Sequence, residues 1–168
     1  MRRTALSCSL FLALAIVAVA AAPGSQKDKP VTRHIWGVQN GGFTFEYFGS
    51  GDYDFDTVGG ATGTLGPLGL VTMYTKHRPT DGERLDGTFE IVAAGNDTIR
   101  GTYTGTAEFL SFDPPQVLGT VVLEISDGTG RYKHASGSIN AKFLETPLNG
   151  DWYVPVPVTW SLEGTVIY

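Results

Sequence analysis

The chain has a single cysteine, Cys8, and it lies inside the first twenty residues. If that segment is removed on export, no thiol remains, which excludes a disulfide framework, a thiolate metal site and a cysteine nucleophile. Basic charge is also scarce, with 12 Lys and Arg against 17 Asp and Glu. Two of the basic residues, Arg2 and Arg3, lie in the same leading segment, so ten basic against seventeen acidic side chains would remain, a net charge of −7. That balance argues against nucleic acid and anionic membrane surfaces as partners. Histidine is sparse too: His34, His77 and His134 are scattered, none at metal-ligand spacing, and the plain reading places them in solvent with no metal bound. No Gly-x-Ser-x-Gly and no phosphate loop occurs, and no segment sustains a helical period.

What is present begins with an export pattern. Arg2 and Arg3 form a short positive region, Ala5 to Ala22 is apolar and small, and Ala18-Val19-Ala20 fits a small-x-small cleavage site. The apolar run is also near the length that spans a bilayer, but its small-residue end and the following Pro23-Gly24 favour cleavage. The expected organisation is a cleaved signal peptide at 1–20, a flexible leader at 21–30 and one β-domain at 31–168, secreted or periplasmic and free of the membrane once cleaved. With 22 glycines, frequent threonine and abundant aromatics, the composition is that of short twisted strands joined by tight turns.

Strand signals recur along the domain. Thr32 to Val38 reads as a first strand, Asn40-Gly41-Gly42 as a turn, and Phe43 to Phe48 as an alternating strand. Gly49 to Gly63 reads as a loop holding Asp52, Asp54 and Asp56, although Gly59 to Leu65 would suit a strand that bends or is closely approached. Leu70 to Lys76 follows, ended by His77-Arg78-Pro79. Leu85 to Ala93, a hairpin turn at Ala94-Gly95-Asn96-Asp97, and the long alternation Thr98 to Leu110 come next. After Pro114-Pro115 a hairpin runs from Val117 to Phe143, then a proline-rich crossing and a last strand, Thr159 to Tyr168. Seven or eight such strands predict an all-β fold, a single closed antiparallel barrel of about eight strands, the last strand pairing the first to remove the exposed edges.

Strand side chains alternate faces, so the aromatic and branched face identifies the interior. That face carries Phe43, Phe45, Tyr47, Leu85, Phe89, Ile91, Ile99, Tyr103, Phe109, Val121, Leu123, Ile125, Trp160, Leu162, Val166 and Tyr168. Glu46, Glu90, Arg100, Glu108, Glu124 and Glu163 then face outward, so every charge on these strands leaves the interior. The strand from Leu70 is ambiguous by one residue, with either Val71, Met73 and Thr75 or Leu70, Thr72 and Tyr74 inward. An uncharged interior disfavours an acid–base enzyme. It favours a lumen that holds a small apolar ligand without catalysis, with Phe45, Tyr47, Met73, Phe89, Tyr103, Trp160 and Tyr168 as candidate contacts and no cofactor. Catalysis by confinement and a structural module with a filled lumen remain the rival readings. Core tyrosines commonly place their hydroxyls at a rim, and that is expected of Tyr47, Tyr103 and Tyr168. The Asp52, Asp54, Asp56 triplet fails the EF-hand pattern, with Thr57 in place of the required glycine and Gly63 in place of the glutamate.

One element carries a family likeness. Gly128-Thr129-Gly130-Arg131-Tyr132, followed by Ala135 and Gly137, resembles the glycine turn of the allene oxide cyclase-like and dirigent-like barrels, and Ala61 to Gly66 and Gly95 to Thr98 are similar to elements of their exported bacterial members. The resemblance implies an eight-stranded barrel with an apolar cavity, in a family whose members form homo-oligomers. No motif here maps onto catalytic positions of that family. Gly128, Gly130, Arg131, Tyr132 and Gly137 are read as an architectural turn.

Overall fold

The computed structural model describes residues 29–49, 55–80, 84–152 and 155–168. The export segment, most of the leader, Asp52 and Asp54 lie outside the described residues.

Eight strands form a closed antiparallel barrel in sequential order: β1 (Thr32–Tyr47), β2 (Phe55–Leu65), β3 (Leu70–Thr80), β4 (Arg84–Val92), β5 (Thr98–Phe112), β6 (Pro115–Gly128), β7 (Ser136–Glu145) and β8 (Val156–Ile167). β8 pairs along β1, from Thr32 opposite Ile167 to Phe43 opposite Val156, so the sheet has no free edge. The hydrophobic alternation drives this closure. On β6 the inward side chains Val117, Val121, Leu123 and Ile125 are buried between exposed Thr120, Val122 and Glu124.

Several boundaries differ from the sequence expectation, among them the start of β8, which lies at Val156 and not at Thr159. Asn40-Gly41-Gly42 is not a turn; β1 runs straight through it. Gly41 serves close approach instead, since a β-carbon there would strike the Gly60 carbonyl of β2. The acidic loop is shorter than expected because β2 already begins at Phe55, with Asp56 on it. Asp56 accepts from Arg78 at 2.8 Å and pairs with Lys76 at 3.0 Å, and those cations hold its carboxyl below the usual range. Finally, β3 and β7 both continue past their expected ends, to Thr80 and Glu145. The β3 ambiguity resolves with Val71, Met73 and Thr75 inward and Tyr74 exposed.

The two barrel ends differ. At one end the glycine element closes the wall: Gly130 has φ +55 and Gly137 φ +127, both in the left-handed region, and Tyr132 is buried against Tyr168 in an edge-to-face pair at 4.8 Å. Gly128 does not take a positive φ; it leaves room for the Thr98 and Tyr132 carbonyls. Arg131 reaches Asp97 at 3.5 Å and covers the Tyr132 ring. The middle is packed with aromatic and branched side chains, among them Phe43, Phe143 and Trp160 in mutual contact. A β-carbon on Gly119 would collide with the Phe143 ring, so the missing side chain makes the space that ring fills. The other end, where β1, β3, β5 and β7 finish, is the open one.

Candidate functional site

A cavity of about 370 Å³ occupies the open mouth. That volume lies within the range of small-molecule sites. Its walls are apolar and largely aromatic: Phe45, Phe55, Phe109 and Trp152, with Leu85, Ala107 and Val117. The rings touch in sequence around the mouth. Phe45 meets Phe55 at 5.4 Å and Trp152 at 5.9 Å, and Trp152 meets Phe109 at 6.3 Å. Tyr47 extends the collar against Phe55 and is 57% exposed.

Polar groups enter where β3 and β7 run longer than expected. His77 continues the inward phase of Met73 and Thr75, and Glu145 continues that of Ala141 and Phe143. Each is only 5% exposed and each lines the cavity. The expectation that every strand charge faces outward fails at Glu145, and the expectation of a solvent-exposed histidine fails at His77. His34 and His134 are exposed. Both differences have one cause: the strands run one inward position beyond the expected ends at Lys76 and Phe143.

The imidazole of His77 stands edge-on to Phe43 at 5.7 Å and parallel to Phe143 at 6.2 Å. Its Nδ1 shares a 2.7 Å hydrogen bond with the Tyr103 hydroxyl. Burial lowers the His77 pKa to about 4, against a smaller opposing effect of the Asp56 charge. Burial also raises the Tyr103 phenol, so it keeps its proton and can donate to a neutral Nδ1. The Thr75 hydroxyl sits near that phenol, but the geometry does not make a hydrogen bond and Thr75 has no partner among the described residues. Burial pushes Glu145 up to about 8. At neutral pH the cavity floor therefore carries an uncharged imidazole and a protonated carboxyl. Deeper still, Gln39 is fully buried with neither amide atom paired among the described residues.

The seven expected lumen contacts separate. Phe45 and Tyr47 line the cavity. Tyr103 lies one hydrogen bond behind it through His77, and its hydroxyl is buried, not at a rim. Met73, Phe89 and Trp160 are core side chains, buried in the packed middle. Tyr168 sits at the opposite, closed end beside Tyr132. The lumen is thus filled along most of its length and open at one mouth, a form intermediate between the empty and the filled barrel. Among the described residues no group of three or more His, Cys, Asp or Glu is placed to hold a metal.

Tyr103→Phe deletes only the hydroxyl that His77 uses. It is expected to cost roughly 1–2 kcal/mol, the usual loss for a buried hydrogen bond with its partner left behind. Urea denaturation at pH 7 reads this directly, and an unchanged midpoint would mean the bond adds nothing net.

No protein-family model, no curated protein and no solved structure matches this chain.

Proposed function

We propose that this chain is a secreted binding barrel that takes one small, mainly apolar molecule in its mouth cavity and does no chemistry on it. The observation that carries the reading is the cavity of about 370 Å³ ringed by Phe45, Phe55, Phe109 and Trp152 above a floor with few polar groups. The export pattern at residues 1–20 supports the compartment. The likeness to allene oxide cyclase-like and dirigent-like barrels rests on a turn at the closed end, far along the strands from the cavity, so it supports the architecture of the reading and not the ligand.

A second reading is a cofactor-free isomerase or cyclase. The His77–Tyr103 pair and Glu145 favour it, because they put proton-transfer groups inside the cavity, with the carboxyl tuned near operating pH. A binder retains its ligand unchanged, whereas an isomerase returns a rearranged product, so extraction of the exported protein after native mass spectrometry separates the two.

The binding test uses a panel of small apolar probes. Stabilisation of the parent chain by several of them is expected in thermal denaturation. Ala107→Phe, which fills the cavity from β5, is expected to abolish that stabilisation while the chain stays folded. Equal stabilisation of parent and variant would place the probes elsewhere and remove the cavity reading.

A further inference from the structure

The charges around the cavity are one-sided. One carboxyl group, that of Glu145, stands at the floor, and among the described residues no lysine or arginine lines the cavity. Glu108 borders the edge from β5 but is exposed, on the outward phase between Ala107 and Phe109. Glu145 is 5% exposed and makes no hydrogen bond or ion pair with a described residue. A buried carboxyl without a partner is unfavourable in an apolar setting and is normally matched by a cation or by donors. The remaining titratable groups that face it do not supply a cation. Val117 on β6 and Val158 on β8 stand opposite it in register. Across the lumen β3 offers His77, which burial keeps neutral, and β5 offers the Tyr103 phenol, while Glu108 is exposed on the outward phase. β1 contributes Tyr47 at the rim. Above this floor the ring faces and edges of Phe45, Phe55, Phe109 and Trp152 surround the access. Aromatic rings attract organic cations through their quadrupoles, most strongly when water is excluded.

We propose that the cavity is selective for an organic ammonium ion on an apolar body, with Glu145 as its counter-charge and the aromatic collar as its cage. This rests on the reading of the mouth cavity as a ligand site and names the class of ligand. An acidic lipid or carboxylate ligand fits badly, because it would meet the Glu145 carboxyl and no lysine or arginine among the described lining residues. When the cation enters, Glu145 ionises and one proton leaves the protein, since the free carboxyl holds its proton at neutral pH.

The test compares two probes of the same shape, benzyltrimethylammonium and its uncharged isostere neopentylbenzene. The quaternary ion does not titrate, so any pH dependence belongs to the protein. At pH 8.5 the cation is expected to bind the full chain at least about tenfold more tightly than the isostere, the factor that about 1.4 kcal/mol of added attraction gives. Its affinity should drop more than about tenfold between pH 8.5 and pH 6, and calorimetry in buffers of different ionisation enthalpy should find about one proton released per cation bound at pH 6.5. Glu145→Gln should erase the preference and the pH dependence while keeping the isostere's affinity. The wild-type pH series and proton count stand on their own if that variant does not fold. Equal affinity for the two probes, or cation binding with no proton release, overturns the ammonium assignment and leaves the apolar cavity intact. Binding of neither probe overturns both.

Discussion

Above pH 8, Glu145→Gln is expected to be more stable than the parent chain by roughly 3–5 kcal/mol, and near pH 4 the two should be equal. The reason is the displaced ionisation of one carboxyl. In the unfolded chain Glu145 releases its proton near 4.5; in the barrel burial holds it until about 8. Between those values the folded state binds the extra proton, so stability falls as pH rises, by about 1.4 kcal/mol per unit, and levels off above 8. Glutamine fills the same space without that ionisation. His77 acts in the opposite sense over a different window. Its folded value of about 4 lies below the unfolded 6.5, so stability rises with pH between them and is lost as pH falls through that range. From about 4.5 to 6.5 the two slopes oppose and largely cancel. The parent chain should therefore show a plateau in mildly acidic buffer and a decline of about 2 kcal/mol from pH 6.5 to 8. Urea midpoints at half-unit steps of pH test both claims. A parent profile that is flat above 6.5, or one that Glu145→Gln leaves unaltered, would show that the carboxyl reaches water and is not buried at the cavity floor.

Phe143→Ala is expected to destabilise the barrel by about 3–5 kcal/mol. Phe143 is buried, and its ring joins Phe43 at 5.6 Å, Trp160 at 4.7 Å and His77 at 6.2 Å. Truncation removes the floor between the mouth cavity and the packed middle, and the surrounding strands are tied on both sides and cannot collapse into the space. Gly119 gives a second handle on the same contact. The three atoms nearest an added methyl all belong to the Phe143 ring, so Gly119→Ala should be costly in the parent and much less so in the Phe143→Ala background. A double-mutant cycle in guanidinium measures the coupling. Additive effects would mean the ring does not occupy the space above Gly119.

Alternation made the barrel legible because its cause is local. Side chains on a strand alternate whatever the strand pairs with, so Phe43, Phe89, Ile91, Tyr103, Leu123, Trp160 and Val166 could be placed inside before any contact was known. Through the middle of the barrel that assignment agrees with the structure; at the mouth Tyr47 and Phe109 keep the inward phase and line the cavity but are more than half exposed. Where the chain chemistry suggested a stop, the assignment ended short: His77-Arg78-Pro79 looked like a turn, and the step beyond Phe143 led toward Pro147. Two further residues of the same period would have put His77 and Glu145 inward. Asn40-Gly41-Gly42 misled in the same way, since a glycine that admits a neighbouring strand and a glycine that turns the chain look identical in sequence.

By itself the sequence determined the fold class, the eight-stranded closure and the inward face of most strands, because these follow from the period of two and the avoidance of free edges. Only the tertiary structure decided where the lumen is filled and where it is open. That depends on which large side chains meet across the barrel: Phe43, Phe143 and Trp160 converge in the middle and exclude space, whereas Phe45, Phe55, Phe109 and Trp152 meet one another around the rim of a cavity. The same distances set the chemistry. A histidine and a glutamate far apart in the chain take their altered protonation from burial at one cavity floor, and burial is a property of neighbours that no strand contains alone.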